Sequence, residues 1–138
     1  MGNSPSEVVK TDLKNKTLVH RTSSGTQGLV NAKNATELIF GSFVTGSAII
    51  KHIQNNKYSN VSIVSMDIED HIFAKFLESS LRGLPTDREM IRKELRSNPG
   101  IGWFMDPKKP EFPLVDVDYA LDFDKFNFIC QVKKRTTN

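Results

Sequence analysis

The sequence predicts an α/β domain in which helices cover the faces of a mainly parallel sheet, and three observations lead there. Between Thr17 and about Gly83, β-prone runs alternate with amphipathic helical patterns at the spacing of consecutive βα units. The chain has 138 residues, one domain's worth, enough to bury about two-thirds of the surface it would expose unfolded. Its 38% hydrophobic and 25% charged content is ordinary for a globular protein, and no apolar run approaches the length that spans a bilayer.

The elements follow in order. Thr17–Thr22 is a short β-prone run, and Arg21–Gln27 hands it over to a helix from about Gly25 to Lys33 with Leu29, Val30 and Ala32 as its apolar stripe. Glu37–Gly41 is the next strand; Gly46–Asn55 is helical, with Ala48, Ile49, Ile50 and Ile53 on one face. Val61–Met66 is the third strand, and a helix from Glu69-Asp70 to Gly83 buries Ile72, Phe73, Phe76, Leu77 and Leu81. Thr86, with Glu89 three residues on, reads as a capping box for a helix through Met90, Ile91, Leu95 and Arg96 that Ser97–Gly100 ends. Ile101–Pro113, with Trp103, Phe104 and three prolines, reads as a loop that packs aromatics. A short helical or irregular acidic stretch, Val115–Asp124, then precedes a last strand at Phe126–Val132, where Cys130 reads as a buried structural thiol.

Right-handed crossovers place the C-terminal ends of parallel strands on one edge, where ligands of such sheets bind. That edge gathers Arg21–Thr26, Gly41–Gly46 and Ser65–Asp70. Amide groups at a helix start lack intrahelical acceptors and sit at the positive end of the dipole, so an anion fits there. Ser23, Ser24 and Thr26 offer hydroxyls, Gly25 allows close approach, and Arg21 offers a planar fork for an oxyanion. Ser42 and Thr45 stand on the neighbouring turn as further donors. The plainer alternatives are N-caps for the hydroxyl residues and a surface ion pair for Arg21.

Other classes find little support. The net charge of +3 equals the tail Lys133-Lys134-Arg135, so no basic stripe in the body of the chain suggests nucleic-acid binding. A single cysteine rules out an internal disulfide, and with a polar Met1–Pro5 it predicts a cytoplasmic protein without a membrane segment. The histidines show no zinc spacing: His20 reads as a partly buried strand residue, His52 lies on a helix, and His71, next to Asp70, is a candidate proton donor. Asp116, Asp118, Asp122 and Asp124 read as a solvated acidic face.

Gly2-Asn3-Ser4-Pro5, Arg21-Thr22-Ser23-Ser24-Gly25-Thr26, Gly41-Ser42-Phe43-Val44 and Glu69-Asp70 occur in the order seen in one family, and Leu121–Phe128 is similar to its ending. On these motifs the chain resembles the 2-phosphosulfolactate phosphatase family, whose reaction belongs to coenzyme M biosynthesis. The resemblance implies a three-layer α/β/α fold around a mixed sheet, with magnesium-dependent hydrolysis of a small phosphorylated acid. It implies that Arg21, Ser23, Ser24, Gly25, Thr26, Ser42 and Thr45 bind substrate and that Asp70, then Glu69, hold Mg2+; no catalytic residue follows from it. Acids in a helix's first turn are equally explained by the dipole. Two elements depart from the usual pattern: Ser23-Ser24-Gly25-Thr26 stands for Thr-Asn-Gly-Thr or Ser-Ala-Gly-Thr, and Val44-Thr45-Gly46 stands where Asn-Ala is common.

Family members begin with a further portion carrying an Asp-Val-(Ile/Leu)-Arg-Ala-(Ser/Thr) motif that this chain does not contain. Residues 1–138 are therefore expected to form one domain corresponding to the C-terminal part of a longer fold, lacking its N-terminal strands. An exposed sheet edge would favour self-association. The alternative functions are a non-catalytic anion-binding module and a remnant completed by a partner chain.

Overall fold

In the computed structural model, which describes residues 2–20, 22 and 25–133, the chain is mixed helix and strand, with helix dominant. Seven α-helices occur among the described residues: α1 (Pro5–Val8), α2 (Gly25–Asn31), α3 (Gly46–Asn56), α4 (Ile68–Leu81), α5 (Arg88–Arg96), α6 (Gly102–Met105) and α7 (Val115–Ala120). Turns of 3₁₀ helix at Phe43–Thr45 and Pro99–Ile101 lead into α3 and α6. Two short strands, β1 (Ile39–Phe40) and β2 (Cys130–Gln131), pair antiparallel, Ile39 opposite Gln131 and Phe40 opposite Cys130. No helix among the described residues is long and apolar enough to cross a membrane.

The core is built on α4. Its residues Ile72, Phe73, Phe76 and Leu77 recur at helical spacing and are all buried, together with Phe43, Ile49, Leu95, Val117, Leu121 and Phe123. Phe43 sits at the centre, 5.0 Å from the Phe73 ring in an edge-on contact and 4.7 Å from the Phe123 ring. The chain between β1 and α3 lies so close to α4 that a Cβ on Gly41 would stand 2.7 Å from the Phe73 ring. One on Gly46 would stand 2.9 Å from Phe76. Both positions require the missing side chain.

Helix boundaries follow local chemistry. The expected stop at Gly83 is present: Gly83 takes a φ of 69°, and the Leu84 amide donates back to the Ser79 carbonyl at 2.9 Å. For α5 the cap is Asp87 rather than Thr86. Its Oδ1 accepts from the Glu89 and Met90 amides at 2.9 and 3.0 Å, so the carboxylate takes the role expected of the hydroxyl.

The sheet departs from expectation. Thr17–His20 and Val61–Met66 form no strand, Glu37–Gly41 contributes only Ile39–Phe40, and Phe126–Val132 only Cys130–Gln131. The sheet among the described residues is thus an antiparallel pair, not a parallel layer. A strand needs a neighbour for its backbone groups, and these stretches find none: Val19 is 95% exposed and Val64 65%. His20 is exposed as well, and so is Cys130 although it pairs with Phe40 on β1, contrary to the partly buried and buried positions expected. Part of the Ile101–Pro113 loop is ordered as α6, yet it does pack its aromatics, with Phe112 edge-on to both Trp103 and Phe104.

Candidate functional site

A cavity of about 450 Å3 opens where the N-terminus, the turn after β1, the start of α4 and the segment 98–121 meet. Its lining is largely apolar, Phe73, Leu95, Ile101, Phe104, Val117 and Leu121 included; its polar side chains are Asn3, Ser4, Ser42, Glu69, Asp70, Asn98, Glu111 and Asp116. Four carboxylates therefore line the cavity, and no lysine, arginine or histidine among the described residues does so.

The expected site residues divide into four sets. Ser42, Glu69 and Asp70 line the cavity together. The Ser42 carbonyl accepts from the Thr45 amide at 3.1 Å and from its hydroxyl at 3.3 Å, so Thr45, buried, shapes the turn beneath. Gly25 and Thr26 open α2 and do not line the cavity; there the Thr26 amide donates to the Thr22 hydroxyl at 3.1 Å. Arg21, Ser23 and Ser24 lie outside the described residues. The α2 region nevertheless adjoins the α4 start, because a Cβ on Gly28 would meet the Met66 sulfur at 3.1 Å.

At the head of α4 the Asp70 Oδ2 accepts from the Met66 amide at 3.1 Å, which orients the carboxylate towards the preceding turn. His71 faces a separate hollow of about 410 Å3 with Ser65, Met66, Asp67 and Ile68. Among the described residues no three His, Cys, Asp or Glu side chains form a ready-made metal cage. Mg2+ needs less, since it typically takes one or two protein carboxylates and completes its shell with water and substrate oxygen. Glu69 and Asp70, both lining the cavity, are two carboxylates that could contribute to such a shell.

The four aspartates near the C-terminus occupy different environments and do not form one solvated face. Asp118 and Asp122 are exposed and paired with Arg96 and Lys125, as a solvated face would be. Asp116 is only 5% exposed, lines the cavity, and accepts the Ser6 amide at 2.9 Å across 110 residues of sequence. Burial pushes its carboxyl up, but hydrogen bonds from the Ser4 and Ser6 hydroxyls and the Ser6 amide, with the charge of Lys10, hold it below the usual range. Asp124 takes a left-handed conformation and accepts the Ser47 amide at 2.6 Å and hydroxyl at 2.7 Å, serving the first turn of α3, while Arg88 closes an ion pair on it.

His52, which lies outside the cavity, is satisfied by the Glu37 carboxylate at 3.1 Å. Tyr58 and Gln131 donate to the same carboxylate, and these bonds, the Tyr58 one foremost, hold Glu37 below the ordinary range. The group ties β1 and β2 to α3.

Comparison with known proteins bears on this site. The family model described as 2-phosphosulpholactate phosphatase matches residues 1–100, which contain Asn3-Ser4, Gly41-Ser42 and Glu69-Asp70 but not Glu111, Asp116 or the Leu121–Phe128 pattern. A probable 2-phosphosulfolactate phosphatase of Thermoplasma volcanium is 29% identical over 100 residues, covering 68% of this chain and 46% of its own length. The chain spans about half the length of that curated relative. No solved structure matches. Since the family model covers well over half of the sequence, the chain belongs to the 2-phosphosulfolactate phosphatase family.

Proposed function

We propose that the protein serves the magnesium-dependent hydrolysis of a phosphate monoester on a small acidic substrate, with 2-phosphosulfolactate as the reference compound and sulfolactate and phosphate as products. The observation that carries this is the convergence of Asn3-Ser4, Gly41-Ser42 and Glu69-Asp70, three of the stretches on which the resemblance rests, around one cavity. For the complete family polypeptide, the three-layer fold belongs to the same proposal. The exposed apolar stretches 17–20 and 61–66 favour self-association.

In the reaction water adds to phosphorus, the bond from phosphorus to the ester oxygen breaks, and that oxygen takes up a proton. Positioning and charge compensation dominate such catalysis. Glu69 and Asp70 would hold Mg2+, which when bound neutralises phosphoryl charge. The electrostatics support this need, because a cavity with four carboxylates repels a dianionic ester unless a cation intervenes. Arg21, with Ser23, Ser24, Gly25 and Thr26 on the α2 side and Ser42 with Thr45 on the β1 side, would bind the substrate's anionic groups. The non-catalytic anion-binding alternative gains nothing from so acidic a lining.

The test is release of phosphate from 2-phosphosulfolactate and from a generic phosphoester, with and without magnesium. Turnover should require the metal and fall by about 10²-fold in Asp70→Ala, with Arg21→Ala also impaired and both variants folded. Turnover indifferent to magnesium and to Asp70→Ala would overturn the proposal. Absence of turnover with thermal stabilisation by inorganic phosphate would do so in favour of the binding module.

A further inference from the structure

We infer that Asp116 is a positioning residue for the cavity, its buried carboxylate clamping the Asn3–Ser4 turn onto the rim. The clamp is read from geometry, and only its consequence for turnover rests on the phosphatase reading. Helix α1 has four residues, too few to hold itself in water. Its Ser4 is the N-cap and lines the cavity beside Asn3, and the Ser4 and Ser6 hydroxyls lie 3.1 Å apart. The Ser6 amide donates to Asp116, on α7, at 2.9 Å, and the Ser4 and Ser6 hydroxyls favour the charged form of the same carboxylate. A helix beyond the matched residues 1–100 thus fixes a motif inside them.

The charge state matters to this arrangement. A buried carboxylate is stable only with its oxygens bonded, and here the Ser6 amide supplies a bond from within the tripeptide Ser4-Pro5-Ser6. Among the described residues no other titratable or charged group bonds to it, and Lys10 acts on it through charge alone. Removing the carboxylate leaves the Ser6 amide without its acceptor and the rim without its anchor.

Amide hydrogen exchange on the full chain tests the clamp directly. The Ser6 amide, in a first turn where helix geometry offers no acceptor, should be protected in the unmodified protein. Asp116→Ala should speed its exchange about 10-fold or more while the Phe73–Leu77 amides keep their rates. Asp118→Asn, on the same helix but exposed, should change neither. If the protein turns over 2-phosphosulfolactate, Asp116→Ala should raise KM about fivefold or more with kcat near unchanged, and Asp116→Glu should recover part of that rise.

An unprotected Ser6 amide in the unmodified protein overturns the inference, whether or not any variant folds. So does equal acceleration of the α4 amides, or a loss confined to kcat. A protein without turnover would sink the phosphatase reading and leave exchange to decide the clamp.

Discussion

Helix α4 and the stretch Val61–Met66 adjoin in sequence and are both rich in apolar residues, yet they end differently. The helix puts Ile72, Phe73, Phe76 and Leu77 into the core, whereas Val61, Ile63 and Val64 remain exposed on a segment with no strand partner among the described residues. A helix satisfies its backbone from within, so an apolar stripe and one packing surface suffice. A strand depends on a neighbour for every second amide and carbonyl. What an alternating pattern predicts is therefore conditional on a partner that local sequence does not name.

The contrast can be broken most forcefully in the core. Phe76, 3% exposed and packed among the rings of Phe43, Phe73 and Phe123, should cost about 3–5 kcal/mol when changed to Ala. That is a large share of a typical domain's stability, and denaturant unfolding would read it. A loss below about 1 kcal/mol would mean that the ring cluster is not the centre of the fold.

Next in size is Asp124→Asn. Asparagine tolerates the left-handed backbone, so the substitution isolates the carboxylate's bonds to Ser47 and Arg88 from backbone strain. The expected cost is about 2 kcal/mol at neutral pH. Burial pushes the Asp124 carboxyl up, but the Ser47 hydroxyl and amide and the Arg88 guanidinium outweigh it and hold it below the ordinary range. With the folded value depressed, this contribution is complete above the ordinary aspartate value of about 3.9 and fades as pH falls through the lower folded one. The gap in Tm between the two proteins should thus be constant from neutrality to about pH 5 and close only in stronger acid. A gap that closes between pH 6 and 7 would assign the effect elsewhere.

The smallest effect belongs to the other region. Val64→Thr, at a position 65% exposed, should move stability by no more than about 0.5 kcal/mol. A loss of several times that amount, or a shift in sedimentation, would show that the stretch is covered in solution.

Asp70 and Asp116 mark a similar divide within the candidate site. Asp70 was legible because acids opening a helix after a β-prone run stand at a recognisable place, and Ser42 because it follows one directly. Both reach the cavity. Asp116 was not legible: in an alternation of Asp and Val it reads as surface, and its partners Ser4 and Ser6 lie at the opposite end of the chain. Asp124 escaped for the same reason, since its helix-capping role depends on a serine 77 residues away.

Local sequence determined the helices α3, α4 and α5, the stop at Gly83, the apolar face of α4 and the motifs that carry the family relationship, because each depends on interactions within a few residues. Tertiary structure alone decided which β-prone runs became strands, which aspartates were withdrawn from water, and which turns share a cavity. Those outcomes rest on hydrogen bonds and contacts between distant segments, whose formation depends on the shape of the whole chain.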